Sequence, residues 1–166
     1  HSGHLALTAE PWVDYLVQTF FEGFCKGGSA RWWRNRHNKH HAMPNMIGQD
    51  GDLQTTPFFA WDPVLAQKIP TPLLKIQHLL FLPMLFLYVP VFFLTTKRFM
   101  YLKGYWDEIG VVSLHFMFFY HLFFNVLEGE LWSFLTVYGI GYGVQGLYLG
   151  FYFALNHFAE QRVEDK

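Results

Sequence analysis

The sequence predicts an all-α integral membrane protein: a helical bundle in the bilayer under a histidine-rich helical cap on the cytoplasmic side. Three observations carry this. First, of 166 residues 52% are hydrophobic, 20% aromatic and only 15% charged, whereas soluble domains carry about a quarter charged residues. Second, beyond Lys75 the apolar residues gather into three segments, roughly 76–96, 109–127 and 131–155, each near or above the ~20 residues that cross a bilayer. Third, ahead of them a basic run, Arg31-Trp32-Trp33-Arg34-Asn35-Arg36-His37-Asn38-Lys39-His40-His41, sets three imidazoles at i, i+3 and i+4. That spacing is one face of a helix.

From the first residue onward, the elements follow. Pro11 to Cys25 reads as a helix, with Pro11 in the first turn and Val13, Leu16, Phe20 and Phe24 at helical spacing. Asp14 and Glu22 interrupt its apolar character, so it should lie at the interface or pack against the bundle. Gly27-Gly28-Ser29 breaks the chain. The histidine helix follows to about Ala42, and Pro44 ends it. Residues 44–73 read as a polar loop, rich in the turn residues Asp50-Gly51-Asp52, Pro57, Asp62-Pro63, Pro70 and Pro72. The organisation is then 1–73 as the interfacial histidine region, 74–155 as transmembrane and re-entrant helices, and 156–166 as the start of a further cytoplasmic segment.

Topology follows from charge. Arg31, Arg34, Arg36 and Lys39 mark the histidine helix as cytoplasmic, and Lys97, Arg98 and Lys103 mark a 97–108 loop likewise. Only Leu127-Glu128-Gly129-Glu130 joins the second and third segments, which predicts a tight helical hairpin. For both ends of the first segment to be cytoplasmic it must be re-entrant or steeply bent, and Pro83 and Pro90 inside it supply the means. The alternative, three plain crossings, would strand His157 across the membrane from His37.

Some partner classes are excluded or left open by composition. A formal net charge of −1 predicts no nucleic-acid partner. Cys25 is the single cysteine, so no intrachain disulfide can form. The chain opens on His1 without a Met or a signal peptide and breaks off in the polar run 160–166. We expect it to be a fragment with further ligands outside it.

Nine histidines are present. His37, His40 and His41 point to a metal, because neutral imidazoles clustered on one face are metal ligands. The bland counter-reading is a solvated polar face. His1 and His4, at i and i+3, could add ligands, His4 being the better candidate. His157 follows Asn156 at the cytoplasmic boundary and reads evenly as a ligand or a snorkelling side chain. His78, His115 and His121 sit in the apolar segments and read as helix–helix hydrogen-bonding groups, not ligands. Trp32 and Trp33 beside arginines read as interfacial anchors. Asp50 and Asp52 could hold imidazole tautomers from behind the ligands, although turn chemistry is the stronger reading of Asp50.

Three imidazoles and a water could make a zinc hydrolase site. Five or more exceed one tetrahedral zinc, whereas two irons need that many. A di-iron centre at a membrane surface can use oxygen to remove hydrogen from a hydrocarbon, with the protein supplying ligands, orientation and a dry channel.

Gly3-His4-Leu5, then Gly27-Gly28-Ser29-Ala30-Arg31-Trp32-Trp33, then His37-Asn38-Lys39-His40-His41-Ala42-Met43-Pro44-Asn45 resembles the membrane fatty-acid desaturases, and most of all their front-end group. Gln49-Asp50-Gly51-Asp52-Leu53 with Thr55-Thr56-Pro57, and Leu155-Asn156-His157-Phe158, extend the resemblance nearly end to end. Front-end desaturases place a double bond between an existing one and the carboxyl end of an acyl chain. The resemblance implies that His37, His40 and His41 are the second of three histidine boxes, that His4 closes the first, and that His157 is a further ligand beside Asn156. His1 falls where the family carries an acidic residue. Asp52 and Asn156 become candidates for holding the ligands in place. No QxxHH third box is present in the chain. The resemblance further implies two Fe ions, O2 as co-substrate, electrons from the haem of cytochrome b5 and its reductase, a fatty acyl substrate in the lipid bilayer, and the endoplasmic reticulum. The same boxes serve sphingolipid desaturases and lipid hydroxylases, and a non-catalytic membrane homologue would keep the fold.

Overall fold

In the computed structural model the described residues are 4, 6–53, 55, 59–60 and 62–159, with the backbone alone at 156–159. Helices run in the order α1 (Pro11–Gln18), continued by a π-helical stretch Thr19–Cys25, α2 (Ala30–Ala42), a 3-10 turn Gly51–Leu53, α3 (Pro63–Ala66), α4 (Thr71–Lys103), α5 (Trp106–Tyr120), continued by a π-helical stretch His121–Val126, and α6 (Leu131–Ala159). Among the described residues there is no strand, as expected of an all-α chain. The chain forms two compact units, residues 1–38 with 91–140, and residues 39–90 with 141–166.

In the first unit, α1 and its π-helical extension lie against α5. Gly23 makes this possible, since a Cβ there would meet Val111 Cγ1 at 3.0 Å. The buried face of α1 is polar: Asp14, Gln18, Thr19 and Gly23 point inward. Its exposed face carries Trp12, Leu16, Phe20 and Phe21. A water-soluble helix buries its apolar stripe; this one presents it outward, as an interfacial helix does. The π-extension of α5 ends at Val126 and α6 starts at Leu131, so the predicted hairpin is present, with Glu128 turning the chain at φ 50°.

The second unit holds the loop after α2, α3, the first part of α4 and the last part of α6. Asp62 caps α3, its Oδ1 accepting the N–H groups of Val64 (2.7 Å) and Leu65 (2.9 Å). α4 and α6 meet backbone to backbone: a Cβ on Gly146 would run into the Leu85 carbonyl oxygen, and one on Gly143 into the Phe86 ring. Small residues permit this close approach of two helix backbones.

Two expectations are corrected. Residues 97–103 are no loop: α4 continues through Lys97 and Arg98 to Lys103, stops at Gly104 (φ 64°), and α5 begins two residues later. Thr95 to Lys103 contains no breaker, and basic residues suit a helix C-terminus. Nor does the first apolar segment turn back within 76–96, because α4 is one helix of 33 residues that includes both Pro83 and Pro90. Each proline removes one N–H from the helix ladder without ending the helix. Among the described residues two helices are long and apolar enough to cross a membrane, Thr71–Lys103 and Trp106–Val126. α6 matches them in length, but its glycines, tyrosines and Gln145 dilute its hydropathy.

Candidate metal centre

The site grows from the start of α2. Ser29 caps the helix, its Oγ accepting the Trp32 N–H at 3.1 Å. A second acceptor reaches the same end from α5: Glu108, 1% exposed, takes the Arg31 N–H at 3.0 Å and the Ser29 hydroxyl proton. A carboxylate over a helix N-terminus meets both its free N–H groups and its dipole. Arg31 then closes a fork on Asp107, two bonds of 2.7 Å each. Its guanidinium also lies 4.6 Å from the Tyr15 and Tyr105 ring centres. Tyr15 donates to Asp107 at 2.8 Å and to Glu108 at 3.2 Å. Burial, then the Asp107 hydrogen bond, pushes the Tyr15 phenol well above its ordinary range. The Arg31 pKa is raised by the same carboxylate, against the opposing effect of burial.

Further along α2 the aromatic lead-in packs inward. Trp32 meets Phe92 edge-on at 4.4 Å, and Trp33 stacks on His37 at 5.0 Å with an interplanar angle of 17°. Trp33 thus braces a histidine one helical turn on. The His4 ring lies 4.9 Å from the His37 ring. The segment leading from His4 into α1 is fixed by Asp14, whose carboxylate accepts the N–H of Leu7 (3.0 Å) and the N–H and hydroxyl of Thr8 (both 2.8 Å). Burial raises the Asp14 carboxyl, but these hydrogen bonds outweigh it and the pKa sits below the ordinary carboxylate value. His41 follows His37 by one turn of α2.

Beyond the boundary at residue 38, His40 has its own partner. His40 Nδ1 lies 2.8 Å from Asp50 Oδ2 and 3.8 Å from Asp52 Oδ2. His40, Asp50 and Asp52 thus form one close group of metal-ligating residue types. Asp50 is fully buried and also accepts the N–H of Asn45 and of Asp52, each at 2.9 Å. The bond to Asp52 is turn chemistry, as the sequence indicated, and the contact with His40 is added to it. The nearer carboxylate is therefore Asp50, where the sequence had singled out Asp52.

The other histidines divide cleanly. His115 Nδ1 meets the Phe24 carbonyl at 2.6 Å, so that nitrogen must carry the proton, and its Nε2 accepts from the Tyr138 hydroxyl. Both ring nitrogens are consumed by helix–helix bonds and none is left for a metal. His121 pairs with Asn125 on its own helix at 2.9 Å. Cys25 is exposed on the π-helical stretch after α1. His1 lies outside the described residues. Asn156 and His157 continue the α6 helix, and their side chains lie outside the description. The sequence does not mark Glu108 as the group that seats the histidine helix; its one available signal is a carboxylate at the foot of an apolar segment.

The donors are imidazole nitrogens, with carboxylates near one of them and no thiolate among them. That set suits iron or zinc rather than a soft-metal site. Imidazole is a donor class that iron accepts, and His4 with His37 in the first unit, and His40 with His41 in the second, are residues of that class.

The family model described as fatty acid desaturase matches residues 1–166. An acyl-lipid (8-3)-desaturase from Rebecca salina is 31% identical over 162 residues, covering 93% of this chain and 37% of that protein. A fatty acid desaturase 2-like protein from Mus musculus is 33% identical over 146 residues, 82% of this chain and 29% of its own length. An acyl-lipid (8-3)-desaturase from Thraustochytrium is 36% identical over 112 residues, 59% of this chain and 26% of that one. The chain spans about a third of the length of these curated relatives. No solved structure matches it.

Proposed function

The chain belongs to the fatty acid desaturase family, and from that premise we propose that the protein is an oxygen-dependent, di-iron acyl-lipid desaturase of the front-end type. The observation that carries the reading is the histidine arrangement: His4 against His37, with His40 and His41 completing the HxxHH run on the same helix. His4, His37, His40 and His41 would hold iron. When bound, two irons supply the capacity to use O2 for removing hydrogens from adjacent unactivated carbons.

The chain's own residues contribute placement. Ser29 and Glu108 seat the helix that bears the ligands, Trp33 stacks on His37, and Asp14 ties down the segment after His4. The outward apolar faces of α1, α4 and α5 support a bilayer location and a lipid substrate. By the same reading the electrons come from cytochrome b5 and its reductase, the membrane is the endoplasmic reticulum, and the histidines face the cytoplasm, where the basic residues of α2 lie.

The test is expression of the full-length gene in a host fed defined polyunsaturated acyl chains, with product analysis by mass spectrometry. A new double bond on the carboxyl side of an existing one, lost in His37→Ala and His40→Ala, is the expected result. A hydroxylated product or a desaturated sphingoid base would replace this reading with another reaction of the same histidine boxes. Undiminished product from His40→Ala would remove the ligand assignment.

A further inference from the structure

We propose that Asp50 is the positioning residue of His40, fixing the imidazole as the Nδ1–H tautomer so that Nε2 is its metal-binding nitrogen. This rests on the reading of His40 as an iron ligand and goes beyond it, because it assigns the nitrogen used and the group that selects it.

The geometry is specific. A carboxylate can only accept, so the 2.8 Å contact from His40 Nδ1 to Asp50 Oδ2 places a proton on Nδ1, and of the two neutral tautomers it selects the Nδ1–H form. The neutral ring then carries its lone pair on Nε2, the form a metal needs. The acceptor is itself immobile. Oδ2 also takes the Asn45 N–H, Oδ1 takes the Asp52 N–H, and the carboxylate is wholly buried. Its backbone is tied into the same loop, the Asp50 N–H donating to the Met46 carbonyl at 2.9 Å. Asn45 enters that loop at φ 58°, a conformation asparagine accepts more readily than most residues. Loop 43–53 is thus wound around one carboxylate, and the His40 ring meets that same carboxylate. Asp52, at 3.8 Å, is beyond hydrogen-bond distance of Nδ1.

The distinction from a loop with a merely structural aspartate is measurable in the full-length protein. Histidine labelled with 15N in the iron-free protein reports the tautomer directly, with the His40 signal identified by its loss in His40→Gln. Wild type is expected to show protonated Nδ1 at His40, and Asp50→Ala is expected to move the proton to Nε2. Iron retention against a chelator is expected to weaken about 10- to 100-fold in Asp50→Ala, the usual cost of removing such a partner, and several-fold less in Asp52→Ala. The 57Fe Mössbauer spectrum of Asp50→Ala should change with it. If Asp50→Ala does not fold, Asp50→Leu keeps the branched shape of the side chain without an acceptor and serves in the same tautomer measurement. An unchanged His40 tautomer in the folded Asp50 variant overturns the proposal, as does unchanged iron retention while His40→Ala loses iron. Iron retention unaffected by both His37→Ala and His40→Ala instead overturns the reading of these histidines as ligands.

Discussion

Glu108, in the first turn of α5, accepts the backbone N–H of Arg31, in the first turn of α2, at 3.0 Å. Seventy-seven residues apart in sequence, the two lock the helix that bears three histidines to the foot of an apolar helix. The carboxylate does what a local cap residue does, but from another element, and Ser29 shares the task.

Removing it has a definite consequence. Glu108→Ala leaves the Arg31 N–H and the Ser29 hydroxyl buried without that acceptor, at a cost of about 1–3 kcal/mol for a stranded group. The thermal midpoint of the detergent-solubilised full-length protein should fall, and iron retention with it, because the seat of α2 loosens. Glu108→Gln keeps one acceptor oxygen and should fall less. Equal midpoints for wild type and Glu108→Ala would show that the bond does not hold the helix.

Much of this was legible in the sequence, because it was encoded locally. Pro11, the Gly27-Gly28-Ser29 break, Pro44 and the four-residue connector before Leu131 each punctuate the chain where the helices begin or end. Periodicity could not show that α1 buries Asp14 and Gln18 and exposes Leu16 and Phe20, since a helical stripe carries no label for inside or outside. The continuation of α4 through Lys97 and Arg98 was hidden for a related reason. Charges read as a loop when their cover is unseen, and Lys97 lies over the Phe93 and Phe116 rings at 5.3 and 4.4 Å. The choice between Asp50 and Asp52 turns on which carboxylate faces back into the loop, and composition is silent on it.

Asp14 makes the stability of the His4 segment pH-dependent. Its folded pKa lies below the ordinary 3.8, so its contribution is complete above that value and is lost as pH falls through the lower folded pKa. Hydrogen exchange at the Leu7 and Thr8 amides should report the loss as faster opening on acidification. Asp14→Asn should show that faster opening already at neutral pH, with its pH dependence below 3.8 removed. Amides equally protected in the variant would mean the segment is held by other contacts.

The glycines of α6 give a graded test of the α4–α6 contact. Gly146→Ala pushes a Cβ onto the Leu85 carbonyl, and backbone cannot swing aside, so a loss of about 1–3 kcal/mol is expected. At Gly150 the Cβ meets the Leu85 side-chain end, which can rotate, and the loss should be smaller. Gly139 and Gly141 have open space around the added methyl, and alanine there should be neutral or should stabilise by up to ~1 kcal/mol through helix propensity. Thermal midpoints of the four variants in one detergent should fall in that order. Gly146→Ala at or above wild type would contradict the close approach.

His115 joins the end of the π-helical stretch after α1 to the start of α6, through the Phe24 carbonyl and the Tyr138 hydroxyl. Hydrogen bonds between helices in membranes average about 0.6 kcal/mol, so Tyr138→Phe should lower the thermal midpoint slightly and leave iron retention intact. His115→Leu removes both bonds and leaves the Phe24 carbonyl without its partner, so it should cost more. Gly27→Ala should be worse than Tyr138→Phe. Its φ of 70° disfavours a side chain, and the added methyl would lie 2.9 Å from His115 Cδ2 and 3.0 Å from the Phe93 ring. Because His115 has both nitrogens engaged, its removal should destabilise the protein without changing the iron spectrum. A changed Mössbauer spectrum in folded His115→Leu would show that this histidine belongs to the metal centre after all.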